Sequence, residues 1–310
     1  MAWAAHLGRN GGHPVQPAAT AGATCMNWTT LVDAAALSNA VGDSGLRLVD
    51  ARFVMLNAAP DAGRKAYAES HLPGAVYADL NLDLSDLSKT GEGRHPMPDS
   101  GAFARTLGGW GIGPSHQVVV YDAGDGSMAA ARLWWLLKLL GHVRVAVLDG
   151  GLAAWRAAGG EETSEVLAPA PVAAYPSHFD AGQLVNAPDI LARLDADSGW
   201  LIDARAAERF RGDVEPIDPV AGHVPGALNR PFAQNLRDGR FKSADELRTE
   251  LSALLGNRSP ANTVLMCGSG VTACHLLLAF EHAGLQGARI YPGSWSGWIA
   301  DPAHPVARGN

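Results

Sequence analysis

The sequence predicts an α/β protein of two tandem domains, each with a mostly parallel central sheet flanked by helices. Three observations carry that expectation. Short β-type runs alternate with helical patterns along the chain, as they do where parallel strands are covered on both faces. Segments also recur in order. Leu48-Val49-Asp50-Ala51-Arg52 returns as Leu201-Ile202-Asp203-Ala204-Arg205, His71-Leu72-Pro73-Gly74-Ala75 as His223-Val224-Pro225-Gly226-Ala227, and Gly150-Gly151-Leu152-Ala153-Ala154-Trp155 as Gly293-Ser294-Trp295-Ser296-Gly297-Trp298. Finally, 310 residues suit two domains of about 150 residues each.

Residues 1–26 are rich in Ala and Gly and lack an apolar segment of signal-peptide type. They read as a disordered tail, with Met26 as a candidate start. In the first copy, residues 27–160, Asp33 is placed to cap a helix that ends at Gly42. Strands follow over 46–52 and 118–122, a helix over 132–140, and a strand over 143–148. Residues 161–176 are Pro/Ala-rich without periodicity and read as the linker.

The second copy, residues 177–310, repeats the scheme. Asn186 with Pro188 opens a helix, 200–203 is a strand, and Ser243 with Glu246 forms a capping box ahead of Leu247, Leu251 and Leu254. Thr263 to Met266 is a short buried strand. Thr272 to Ala283 repeats its apolar residues at helical spacing and stops at Gly284, a C-cap signal.

Composition narrows the function. A net charge of −7 argues against a phosphate-backbone partner, and no apolar run has membrane-spanning length. Cys25, Cys267 and Cys274 are odd in number and widely spaced, so they give neither a disulfide framework nor a zinc site. A reducing cytoplasm is the expected compartment, with no cofactor, metal, nucleic acid or membrane required.

Chemistry concentrates at Cys267, which stands between the strand ending at Met266 and the helix beginning at Thr272. Gly268 and Gly270 permit a tight turn, so N–H groups of the loop and helix start, including Val271 and Thr272, can converge on an anion. Such surroundings favour a thiolate over a thiol, and the thiolate is the nucleophile. Cys274, one heptad further on, reads as core. Asp122 stands at the matching strand end of the first copy. A carboxylate lacks the nucleophilic sulfur of a thiolate, so the first copy is expected to be catalytically silent.

The run Cys267-Gly268-Ser269-Gly270-Val271-Thr272-Ala273 resembles the active-site loop of the two-domain rhodanese superfamily, in the form typical of 3-mercaptopyruvate sulfurtransferases. The resemblance covers about Asn27 to Pro305. It implies two rhodanese-like domains and ping-pong sulfur transfer: Cys267 takes sulfur from a small donor as a persulfide and hands it to a thiol, cyanide or thioredoxin-like acceptor. It also implies a Ser-His-Asp relay formed by Ser269, His71 and Asp61, and a donor carboxylate bound by Arg209. A turn-locking histidine is the competing reading of His71, because His223 stands in the same pentapeptide of the second copy.

Two features bear on the donor. Thiosulfate enzymes of the superfamily usually carry cations where this chain has Gly268 and Ser269. The second Arg usual in mercaptopyruvate enzymes is absent from Asp213-Val214-Glu215-Pro216-Ile217-Asp218-Pro219-Val220, with Arg211 as one substitute. Thiosulfate sulfurtransferase and a non-turnover persulfide carrier are therefore the alternatives. A phosphatase of this fold is rejected, since Ala273 and not Arg lies after the loop. Arg52 and Arg205, repeated together with Asp50 and Asp203, read as structural ion pairs.

Overall fold

A computed structural model of the chain describes residue 1 and residues 26–54, 59–173, 175, 178–194 and 198–309. Most of the expected tail, with Cys25, and linker positions 174 and 176 lie outside the described residues. Five strands, β1 (Leu31–Val32), β2 (Leu46–Asp50), β3 (Ala75–Tyr77), β4 (Gln117–Tyr121) and β5 (Val145–Leu148), form one parallel sheet in the order β1-β5-β4-β2-β3. In the second half β6 (Leu201–Asp203) and β7 (Leu228–Asn229) are followed by a small antiparallel hairpin, β8 (Leu236–Arg237) and β9 (Arg240–Phe241). Next come β10 (Val264–Met266) and β11 (Arg289–Ile290), which complete a parallel sheet in the order β11-β10-β6-β7.

The two sheets are the same design. Asp50 is in register with Tyr121 across β2 and β4, as Asp203 is with Met266 across β6 and β10. The positions that follow, Asp122 and Cys267, are therefore equivalent. Even the edge strand β1 has a vestige, since Leu184 makes an isolated parallel bridge to Ile290. Asp50 and Arg52 pair at 2.7 Å, and so do Asp203 and Arg205, locking the carboxyl ends of β2 and β6.

Local chemistry sets the element ends. Asp33 Oδ1 accepts the Ala36 N–H at 2.7 Å, yet the helix it caps covers only Ala34–Ser38. The expected continuation to Gly42 tightens into a turn in which the Ala40 and Val41 N–H groups both reach Leu37 O. Capping boxes form at Asn186 with Asp189 and at Ser243 with Glu246, the latter opening Ala244–Leu255.

One helix joins the halves. Ala129–Leu139 buries every residue except Lys138, which reaches Glu281 at 3.2 Å. A helix buried on almost every side needs cover on almost every side. The cover comes from β4 and β5 of its own sheet and from Thr272–His282 of the other half. Trp134, Trp135, Leu136, Leu251, Leu276 and Phe280 consequently belong to one continuous core, and each large side chain so buried contributes about 1.5–3 kcal/mol. Among the described residues no helix is long and apolar enough to cross a membrane.

Candidate active site

β10 ends at Met266, and residues 267–271 turn into the helix Thr272–His282. The N–H groups from Gly268 to Thr272 donate to no group among the described residues, as expected of a helix entry open to an anion. Carbonyls of the loop are used instead: Cys267 O accepts Trp295 N–H and Gly268 O accepts Ser296 N–H, each at 2.9 Å. Cys267 itself is 1% exposed.

The two glycines are needed for different reasons. Gly270 has φ +75°, and a Cβ there would lie 2.3 Å from Pro292 O. Gly268 makes room for arginines: a Cβ there would lie 3.1 Å from Arg94 Nη2 and 3.7 Å from Arg209 Nη1. Gly270→Ala is expected to lower the unfolding free energy by at least about 1–2 kcal/mol from the left-handed backbone alone. The urea midpoint should fall at unchanged m, and an unchanged midpoint would mean that the turn relaxes freely.

Ser269 is bound from the other half of the molecule. Its Oγ lies 2.8 Å from Nδ1 of His95, a residue the sequence did not single out. Burial, and after it the charges of Arg132 and Arg94, push His95 down to about 4, so the imidazole is neutral at physiological pH. His71, by contrast, lies with Nδ1 2.7 Å from Tyr67 O and Nε2 3.1 Å from Glu165 O, and stacks on Tyr67. His223 repeats this pose, with Nδ1 2.8 Å from Phe210 O and its ring stacked on Phe210. Both histidines lock turns. Asp61 lies at the exposed start of the helix Ala62–Glu69 and pairs with Lys65 at 3.0 Å. The structure thus brings His95 to Ser269, and neither His71 nor Asp61. Among the described residues no carboxylate hydrogen-bonds to His95.

Two guanidinium groups flank the loop. Arg209 donates from Nε and Nη2 to Glu215 and from Nη2 to Asp218 at 3.1 Å. Arg94, from the first half, pairs through Nη1 with Asp218. Their remaining ends, Arg209 Nη1 and Arg94 Nη2, are the atoms nearest Gly268 and have no partner among the described residues. The segment expected to lack a second Arg therefore contributes an acid, Asp218, that holds a second Arg from elsewhere. Arg211 is not that cation, since it pairs with Asp213 on the surface.

Ser294 is a further residue the sequence did not reveal. Its Oγ accepts the Cys267 N–H at 3.1 Å and sits 3.9 Å from Sγ, and its backbone holds φ +52°. A left-handed serine is uncommon, and here it puts a hydroxyl against the sulfur. Cys274, fully buried, donates its thiol to Gly270 O at 3.2 Å, and burial pushes it up to about 12. It stays a thiol. In the first half Asp122 occupies the place of Cys267, and its Oδ1 accepts the N–H groups of Gly124 and Gly126 at 3.0 Å each. That loop has the same anion cradle, filled by its own carboxylate.

Comparison with known proteins agrees with the two-domain fold. The rhodanese-like domain family matches residues 33–158 and 186–301. A protein of Pseudomonas aeruginosa, provisionally named a 3-mercaptopyruvate sulfurtransferase, is 46% identical over 92% of this chain and 100% of its own. One of Mycobacterium tuberculosis, provisionally named a thiosulfate sulfurtransferase, is 43% identical over 81% of this chain and 87% of its own. The solved structure of the Escherichia coli 3-mercaptopyruvate enzyme superposes with a TM-score of 0.73 at 30% identity, over 87% of this chain and 100% of that one.

Proposed function

The chain belongs to the rhodanese-like domain family and is a sulfurtransferase, and we propose that it moves sulfane sulfur from 3-mercaptopyruvate to a thiophilic acceptor through a persulfide on Cys267. The observation that carries this reading is the meeting, at one glycine-rich loop, of Cys267, the Ser269–His95 pair and the free ends of Arg94 and Arg209. Residues 27–160 would then be the silent domain, 161–176 the linker and 177–310 the catalytic domain.

The Cys267 thiolate attacks the donor sulfur. The new S–S bond forms as the C–S bond breaks, and its electron pair leaves on carbon as the enolate of pyruvate. Ser269, hydrogen-bonded to neutral His95, relays the proton that the donor thiol gives up as the persulfide becomes an anion, and its arrival on the enolate carbon yields pyruvate. Amides of residues 268–272 stabilise the persulfide left behind. An acceptor nucleophile, whether cyanide, a small thiol or a thioredoxin-like cysteine, then takes the outer sulfur and returns the thiolate. The cytoplasm, where thiols stay reduced, suits both half-reactions.

Charge balance favours the monocarboxylate donor. Arg94, Arg205 and Arg209 are already matched by Asp203, Glu215 and Asp218. One additional carboxylate can still bind the free guanidinium ends, whereas a dianion adds twice the uncompensated charge. Thiosulfate is the second reading, kept because the M. tuberculosis relative bears that name. Steady-state kinetics with both donors decide between them. The expected result is a higher kcat/KM for 3-mercaptopyruvate, and a higher value for thiosulfate would reverse the assignment. Single turnover without recycling would instead identify a persulfide carrier.

A further inference from the structure

The Ser269–His95 pair is assembled from two halves of the molecule, so its geometry depends on how the halves are held together. Ser269 stands in the loop of the second half, and His95 in the long irregular segment between β3 and the helix Ser100–Gly109 of the first. A single hydrogen bond of 2.8 Å joins them, and the Phe53 ring stands perpendicular to the imidazole with 6.2 Å between centres.

One side chain grips the backbone on both sides of that bond. Arg132, fully buried in the helix Ala129–Leu139, donates from Nη1 to Gly270 O at 2.9 Å and from Nη2 to His95 O at 3.2 Å. Nη2 also lies 3.5 Å from Leu84 O, further back along the same segment of the first half. The fork therefore reaches from the residue after Ser269 to the partner of Ser269. The Trp135 ring backs it, 5.0 Å from the guanidinium carbon, and Nε has no hydrogen-bond partner. A planar guanidinium keeps its two ends a fixed distance apart, which the point charge of an ammonium does not.

We propose that Arg132 is the positioning residue of the proton relay, its fork setting the place of His95 against Ser269 and so the path of the donor's proton to the enolate carbon. The inference deepens the mercaptopyruvate reading of this site and rests on it. The sulfur loop keeps other anchors without Arg132, since Cys267 O and Gly268 O accept from Trp295 and Ser296, and Cys274 donates to Gly270 O. His95 is held to the loop by the Ser269 bond and by the fork. Removing the fork should therefore disturb the relay more than the nucleophile. The two donors separate these effects. When the C–S bond of mercaptopyruvate breaks, its electron pair goes to carbon and needs the relayed proton. When the S–S bond of thiosulfate breaks, the pair leaves on sulfite, which needs none.

The test is the rate of sulfur loading on Cys267 in a single turnover, with saturating 3-mercaptopyruvate or thiosulfate. The proteins compared are wild type, Arg132→Met, Arg132→Lys, His95→Ala and the double variant Arg132→Met/His95→Ala. In Arg132→Met, loading from mercaptopyruvate should slow about 100-fold, the effect of moving a catalytic group by about 1 Å, at an unchanged half-saturating concentration. Loading from thiosulfate should slow at least about 10-fold less. Because Arg132 acts through His95, the double variant should load within about 2-fold of His95→Ala alone, whereas independent effects would multiply. Equal slowing with both donors, or multiplied losses in the double variant, overturns the proposal. Should Arg132→Met not fold, Arg132→Lys leaves a donor and a charge in the core but not the two-pronged spacing. It should show the same donor-selective loss, and wild-type loading by Arg132→Lys overturns the proposal. Failure of the underlying reading looks different: wild-type enzyme mixed with mercaptopyruvate would carry no sulfur on Cys267, and the inference would fall with it.

Discussion

Cys267→Ser is expected to retain less than about one part in ten thousand of the wild-type sulfur transfer, because in the proposed mechanism Cys267 is the covalent nucleophile and its loss leaves only binding and the amide cradle. A serine hydroxyl is far harder to ionise than a thiol, and an alkoxide cannot store sulfane sulfur as a stable persulfide analogue. The fold should survive, since the substitution exchanges only sulfur for oxygen. Cys274 cannot stand in: its thiol is committed to Gly270 O and kept protonated by burial. Mass spectrometry of donor-treated protein should therefore find the added sulfur on the peptide containing Cys267. Sulfur on Cys274, or full turnover by Cys267→Ser, would end the assignment.

How much of this was legible in the sequence follows from how local each determinant is. β2, β4 and β10 are apolar runs that buried parallel strands require, and the capping residues Asp33, Asn186 and Ser243 act within three positions of themselves. β1, β7 and β11 are only two residues long and are defined by their neighbours, so they have no periodic signal. The loop around Cys267 was legible for the same reason as the caps: its glycines sit beside the residue they serve. His95, Arg94 and Arg132 were not. They belong to the other half, and Arg132 meets Gly270 across 138 residues of sequence. His71 and Asp61 illustrate the converse, as residues plausible by position that tertiary structure directs elsewhere. The repeat itself held the clue, because a histidine present in both halves is better explained by architecture than by chemistry.

Arg209→Ala and Arg94→Ala are each expected to reduce kcat/KM for 3-mercaptopyruvate by roughly 10- to 150-fold, the worth of one charge-assisted hydrogen bond of about 1.5–3 kcal/mol. Thiosulfate turnover should suffer less, since it offers no carboxylate to the fork. Both side chains bond Asp218, so the double variant should lose less than the product of the single losses. Most of the loss should appear in KM, because the carboxylate is bound in the ground state as well as in the transition state. Equal losses with both donors would make these residues structural members of the Asp218 cluster. An effect of Arg209→Ala without one of Arg94→Ala would return the second guanidinium to the list of missing parts.

The helix Ala129–Leu139, buried on almost every side, also has a consequence for how the protein is made. Synthesis runs from the first half to the second, at about 5–20 residues per second. For roughly seven to thirty seconds on that scale, the nascent chain has a completed β4 and β5 and a tryptophan-bearing helix whose outer face has no partner yet. That face is covered only when the helix Thr272–His282 emerges, and this helix follows directly on the loop that holds Cys267. The step that hides the sticky surface of the newborn chain is thus the step that completes the proposed Cys267 site, and a chain ended between the halves is expected to be both inactive and prone to aggregate.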